Sequence, residues 1–473
     1  MFRCVLCVML VTVFLSGCAT YQTMPLTHEA VTQKLRVPDL ADIRIRAKQI
    51  KHPILKPLEF NDRDGLSPDE AAVLAVLANP RLRAIRDQQA IANAQLLQAG
   101  LLPNPQLSYG VDFPTGGETA GTVNAFGVGL DWDIGSLIAR QPKMDAAQAH
   151  AGSVSLEIAW QEWQVAEAAK LHVYRLLIAE KLLALAKQIE AERRQARNVI
   201  TNGVKLGEKT ALELSTANNA WRQARLAVQA AEQQGQRERL DLNRTLGLDA
   251  DRVIPLQQDI SLPARQNFPC AAEATDGIED RRLDLLALKA GYESQEAKIR
   301  AAVKSQFPRI NIGLSNETDT DNVRTMGFGV TIELPFFSQN QGRIAIERAT
   351  RQQLFDEYTV RLFDAQSEIA GLLSALQCTR DQIQSIEESI PALDQLVHSY
   401  KNAAEGGIVD ILTYYEALGN LYISQIQVLS LKQQLAELGI AIEIATGQYL
   451  PASNIQGSAP SDSNETVKKE ILK

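Results

Sequence analysis

The sequence predicts an α+β chain built from one unit, helix–strand–strand–long helical hairpin, written twice. Three observations carry that prediction. Short motifs recur about two hundred residues apart, four segments alternate with period two, and a very long helical run follows each pair of alternating segments.

The first unit opens at Asn79-Pro80-Arg81-Leu82, which starts a helical run ending at Pro103-Asn104-Pro105. Asp280-Arg281-Arg282-Leu283 starts its counterpart, which ends at Phe307-Pro308. An alternating segment follows each run, from Pro105 to Gly110 and from Pro308 to Gly313. A second comes later in each copy, Phe126 to Leu130 and Met326 to Val330. Each copy then enters a long helix that turns back once, through Asn202 to Gly207 and through Glu405-Gly406-Gly407. Agreement in both order and spacing marks a duplication. It divides the chain into a signal peptide (1–17), an extended N-terminal segment (18–66), a first repeat (67–269), a second repeat (270–447) and a flexible tail (448–473).

The alternating segments read as membrane strands. From Gln106 to Phe113 one face carries Leu107, Tyr109, Val111 and Phe113, the other Gln106, Ser108, Gly110 and Asp112. The second strand sets Phe126, Val128, Leu130 and Trp132 against Ala125, Gly127, Gly129 and Asp131. The third sets Ile310, Ile312 and Leu314 against Asn311, Gly313 and Ser315. In the fourth, Met326, Phe328, Val330, Ile332 and Leu334 oppose Thr325, Gly327, Gly329, Thr331 and Glu333. Alternation over about eight to ten residues is what a tilted strand needs to cross a bilayer. A soluble hairpin would charge its outer face, whereas this second face is small and glycine-rich and suits a water-filled lumen. The loops 114–122 and 316–324 are polar and fit outer turns.

Four such strands cannot close a barrel, and an open edge in lipid leaves backbone groups unpaired at several kcal/mol each. Other copies must therefore complete it. A dimer would close a narrow ring filled by side chains; a trimer would close a twelve-stranded ring with room for a channel. The small inward residues favour the trimer.

The helices form the longer part. From Met144 to Ile200 no proline interrupts an apolar pattern that includes Leu171, Tyr174, Ile178, Leu182, Leu185 and Ile189. At 1.5 Å per residue that run is about 85 Å long. Its counterpart, Gly342 to Asn402, contains Pro391, where a kink or local break is expected. Pro68 to Gly100 with Lys209 to Leu246, and Asp280 to Gln306 with Asp410 to Thr446, are half-length segments. Stacked end to end they match the long helices in antiparallel pairs.

The N-terminus points to export. Arg3 precedes an apolar core from Val5 to Phe14, too short for a membrane span, and Leu15-Ser16-Gly17-Cys18 resembles a bacterial lipobox. Cys18 then becomes a lipidated first residue, carrying acyl chains such as palmitate, and Ala19 favours sorting to the outer membrane. Cys270 and Cys378 are left to pair or to stay free. The five histidines show no ligand spacing, so no metal site and no cofactor beyond the lipid is expected. A net charge of -8, with basic residues dispersed, argues against nucleic acid as a partner. No nucleophile elbow or phosphate loop is present, which argues against an enzyme.

With these features the chain resembles the outer-membrane efflux protein family, the TolC-type channels, in its lipoprotein branch. The resemblance rests on the duplicated order, on Asn79-Pro80-Arg81-Leu82, and on Leu334-Pro335-Phe336-Phe337 with Gln341-Gly342-Arg343 ahead of the long helix. It implies a homotrimer whose twelve-stranded outer-membrane barrel continues as a periplasmic α-helical barrel, with an equatorial belt built from residues 247–269 and the terminal regions. It also implies passive export of small molecules or ions, docked to a periplasmic adaptor and an inner-membrane pump of the resistance-nodulation-division type. A type I protein-secretion duct shares this architecture, and a lipid-anchored coiled-coil scaffold is the other alternative.

The family closes its periplasmic end with acidic residues just after the second turn. The match here is Asp410, with Thr413 where some members place a second aspartate, and Glu213 is expected at the equivalent place in the first repeat. Three copies of one carboxylate around a threefold axis would favour cations. Asp410 would serve equally as a helix cap. Gly203, Gly207, Gly406 and Gly407 mark the turns expected to meet the adaptor.

Overall fold

The computed structural model describes residues 20–36, 40–50, 55, 57–60, 65–257, 260, 271–406 and 408–447. The signal peptide, Cys18, Cys270, Gly407 and the tail from residue 448 lie outside the described residues. Residues 1–39 and 40–473 form two separate units. In the first, α1 (His28–Leu35) starts where the Thr27 hydroxyl accepts the Ala30 N–H at 3.2 Å. The segment 18–66, expected to be extended, thus holds a helix, and α2 (Leu40–Lys48) adds another in the second unit. Both carry an acid in the first turn and a base in the last, which favours short helices through the backbone dipole.

In the second unit the duplication is plain. The first repeat runs α3 (Pro68–Ala78), α4 (Pro80–Gly100), β1 (Gln106–Asp112), β2 (Ala125–Asp133), α5 (Arg140–Lys205) and α6 (Ala211–Leu246). The second runs α7 (Ala271–Thr275), α8 (Ile278–Arg281), α9 (Leu283–Lys304), β3 (Ile310–Thr318), β4 (Arg324–Ile332), α10 (Gln341–Glu405) and α11 (Ile411–Thr446). Pro68 to Gly100, expected as one segment, is two helices. Pro80 disfavours helical ψ at the residue before it, and Asn79 sits at φ -59°, ψ 120°. The long helices have 66 and 65 residues, each about 100 Å. α10 runs through Pro391 without the local break, one of the two outcomes expected there. One missing hydrogen bond at an exposed position leaves the freed carbonyl to water, and the rest of the helix holds the turn.

The strands form one antiparallel sheet in the order β1-β2-β3-β4, so the repeats join through β2 and β3. Register keeps the two faces apart. Leu107 pairs with Leu130, Leu130 with Leu314 and Leu314 with Phe328, while Gly129 pairs with Ser315 and Gly313 with Gly329. The apolar set is open: Leu107 is 74 % exposed, Phe328 69 % and Met326 82 %. On the opposite face, side chains at Gly127 and Gly313 would overlap Glu317 and Asp131, so glycine there makes room for carboxylates.

Below the sheet the helices pack α4–α5–α9–α10. The core thickens midway, where α3 and α11 join them. Trp160 and Trp163 meet edge to face, with Leu283 beside them, and Ala72, Val76, Leu82 and Ala166 form a neighbouring cluster. Leu66 forms a parallel bridge with Leu256, tying the start of the first repeat to the segment that leaves it. Both repeats end alike. α6 and α11 terminate at Gly247 (φ 68°) and Gly447 (φ 66°), left-handed positions that glycine adopts without strain.

Candidate gate at the helical tips

At the end away from the sheet, each long hairpin reverses in a tight turn. In the first, Gly207 adopts φ +78°, and the Gly203 carbonyl accepts from Glu208 N at 2.9 Å and Lys209 N at 3.2 Å. A side chain at Gly203 would meet Lys209 Cγ at 2.7 Å, so this glycine lets the loop fold back onto the helix. Thr210 then caps α6 in a reciprocal box. Its hydroxyl accepts the Glu213 N–H at 3.2 Å, and Glu213 Oε2 accepts the Thr210 N–H at 2.7 Å. In the second turn, Gly406 N donates to Asn402 O at 3.0 Å and Ile408 N to Ala403 O at 2.9 Å. Asp410 caps α11, accepting from Leu412 N at 3.4 Å.

The two turns meet through one lysine. Lys209 Nζ donates to Glu213 Oε1 at 3.0 Å and to Asp410 Oδ1 at 3.1 Å. The Thr210 N–H, the Lys209 ammonium and the Thr210 hydroxyl bring the Glu213 carboxyl down to about 2, so it is ionised at any periplasmic pH. The same two carboxylates raise the Lys209 ammonium above its ordinary range. Asp410 thus both caps its helix and pairs with Lys209 at the junction of the tips.

The caps also correct a register. Thr210 and Asp410 are the equivalent N-cap residues, which sets Glu213 level with Thr413 and one turn beyond the place of Asp410. Alignment on Ala211-Leu212-Glu213 misses this because a capping threonine and a capping aspartate do the same backbone work with different side chains. The structure nonetheless brings Glu213 and Asp410 together, through a lysine that sequence reasoning passed over. Above the tips, Arg193 donates to Tyr415 O at 3.1 Å and lies 5.7 Å from the Tyr415 ring centroid, joining α5 to α11. Nothing in local sequence marks Arg193, since its partner lies more than two hundred residues away. Cys378 is exposed. No helix among the described residues is long and apolar enough to cross a membrane, and none of their His, Cys, Asp and Glu side chains group for a metal ion.

A sheet with one open apolar face, one small polar face and two free edges, set above two long hairpins with carboxylates at their tips, defines a subunit of an oligomeric transmembrane duct. Residues 276–448 match the outer membrane efflux protein family. The chain is similar to the cobalt-zinc-cadmium resistance protein CzcC of Cupriavidus metallidurans, 23 % identical over 393 residues, covering 81 % of this chain and 90 % of that one. The cation efflux system protein CusC of Escherichia coli is 22 % identical over 57 % of this chain and 61 % of its own length. A CusC crystal structure superposes with a TM-score of 0.69 at 18 % identity, covering 87 % of this chain and 99 % of that one. The Campylobacter jejuni CmeC outer membrane channel superposes at 0.68 and 15 % identity, covering 96 % and 98 %.

Proposed function

We propose that three copies of this chain, anchored by lipid on Cys18, form the outer-membrane exit duct for metal cations or similar small cations. A periplasmic adaptor and an inner-membrane pump of the resistance-nodulation-division type load it. The observation that carries the reading is the four-stranded sheet, which has the faces of a membrane barrel wall and lacks the strands to close one. Its polar face carries Asp112, Asp131, Asp133 and Glu317, a lining that concentrates cations. The names of CzcC and CusC, cobalt-zinc-cadmium resistance and cation efflux, favour that cargo. Export is passive in this scheme. The chain supplies a path and a closable end, and the pump supplies the energy.

The closable end is assigned to Asp410 and Glu213, with the Gly203, Gly207, Gly406 and Gly407 turns as the adaptor's contact. Lys209 holds the two carboxylates within one protomer, and threefold symmetry would repeat the charge pattern around the axis. The test is the Cys18→Ser variant, exported on a non-lipoprotein signal. It should remain in detergent-extracted outer membrane as a trimer and conduct cations in a planar bilayer. A soluble, non-conducting product would overturn the duct and leave an anchored scaffold.

A further inference from the structure

Midway along the helices, where the end of α11 packs against the first repeat, three charged side chains are shut away from water, with a fourth, Asp69, half-buried beside them. Glu167 is fully buried, Lys170 is 3 % exposed and Glu443 4 %. Lys170 Nζ lies 2.8 Å from Glu167 Oε1, 3.5 Å from Glu443 Oε2 and 3.8 Å from Asp69 Oδ1. Glu167 Oε1 also accepts from Trp163 Nε1 at 3.3 Å. One ammonium thus faces three carboxylates from α3, α5 and α11; setting aside the partly exposed Asp69, the buried trio when fully ionised would still carry one uncompensated negative charge.

The hydrogen bonds show how that excess is relieved. Asp69 Oδ1, Glu167 Oε2 and Glu443 Oε2 are buried oxygens that accept no close hydrogen bond, with Lys170 Nζ 3.8 Å from the first and 3.5 Å from the last. The Glu443 carboxyl lies against that of Glu167, and two carboxylates cannot bond each other because both only accept. A single proton turns the clash into a hydrogen bond and removes the excess charge.

We propose that Glu443 and Glu167 share one proton, and that this proton fastens the Gly447 end of α11, the helix that carries Asp410, to the first repeat. The other charged and titratable groups around the site are already committed or neutral. On α11, Glu437 pairs with Arg175 at 2.8 Å. From α9, Arg282 donates to Ala445 O and pairs with Asp284, and Glu368 of α10 approaches Arg282 at 3.6 Å. Tyr174 on α5 stays neutral, its phenol pushed up by burial. None offers the Glu443–Glu167 pair a second cation.

Burial, with Glu167 adding to it, raises the Glu443 carboxyl to about 8, above its unfolded value. The folded chain therefore holds a proton that the unfolded chain releases between about pH 4.5 and 8. The clasp is intact below that window and loosens as pH rises through it. The proton belongs to the pair rather than to either residue alone.

Infrared difference spectroscopy of the purified trimer between pH 6 and pH 9 reads the proton directly. The expected result is a buried carboxylic-acid carbonyl band at pH 6 that disappears by pH 9 and is missing in Glu443→Gln. No band, or a band retained in the variant, overturns the proposal. Thermal unfolding gives a second reading, because glutamine donates to Glu167 at every pH. The two proteins should melt together at pH 5, and the variant should melt higher by a few degrees at pH 9. A difference that does not change with pH, or a variant that fails to assemble, also overturns it.

Discussion

The two repeats share a backbone and differ in the side chains that finish it. In each, the N-cap residue of the upper helix reaches the carbonyl two residues before the glycine that ends the last helix. Asn79 Nδ2 donates to Thr245 O at 2.9 Å in the first repeat, and Arg282 Nη1 donates to Ala445 O at 3.2 Å in the second. One junction uses a neutral amide. The other buries a guanidinium, which then requires Asp284 at 2.9 Å, which is held in turn by Arg361 at 2.7 Å. Duplication preserved the turns and caps that set chain direction, while side chains diverged to build contacts between the copies. Lys209 with Asp410 at the tips and Lys170 with Glu443 midway are both cross-repeat pairs.

The sharpest way to break this comparison is to remove the two junction donors. Arg282→Met should lower the apparent unfolding free energy by about 3 kcal/mol, because the buried Asp284 loses one of its two guanidinium partners and the Ala445 carbonyl loses its donor. Asn79→Ala should cost about 1 kcal/mol, the loss of a cap and a neutral hydrogen bond. Denaturant titration of the detergent-solubilised protein reads both, and equal losses would mean that the guanidinium carries no special burden.

The glycines come next. A side chain at Gly247 would meet the Ala78 carbonyl oxygen at 2.7 Å, whereas at Gly447 the nearest atoms, of Arg281 and Arg282, lie at 3.2 Å. Both positions have positive φ, so alanine is strained at each by about 1 kcal/mol or more. The clash makes Gly247→Ala the worse by about 1 kcal/mol further. The order of the two melting midpoints checks it.

Much of this was legible in the sequence because it is local. Period-two alternation set the four strands and their faces, and the long helices followed from sustained apolar spacing. Thr27 and the acid–base ends of α1 were also local signals, outweighed in the reading by the prolines of residues 18–66. What could not be read depends on partners far along the chain. Glu167 and Glu443 look like two of many helical acids until packing sets them face to face. Glu213 looked like the counterpart of Asp410 because aligning short motifs weighs residue type, whereas the caps set the register. Lys209 carries no motif, yet it decides what both carboxylates experience.

The tips give the finest comparison, between a charge site that should ignore pH and one that should not. Glu213 is held down to about 2, so its contribution, present above the unfolded carboxylate value, is lost only as pH falls through that low range. Across pH 5 to 8 the tip contact is therefore constant while the midway clasp loosens. The pair at Lys209 is solvent-accessible, and exposed pairs add little to stability, so Lys209→Gln should leave the melting midpoint unmoved. Its effect should appear in planar-bilayer conductance, where releasing Asp410 from its bond to the first tip raises the open fraction. That increase should be independent of pH between 5 and 8. It should shrink between about 0.1 M and 1 M salt, as the Debye length falls from about 10 Å to 3 Å and the ions screen the attraction that the lysine supplied. Unchanged conductance at low salt would place the closure elsewhere, with Arg193 and Tyr415 as the next contact between α5 and α11 to cut.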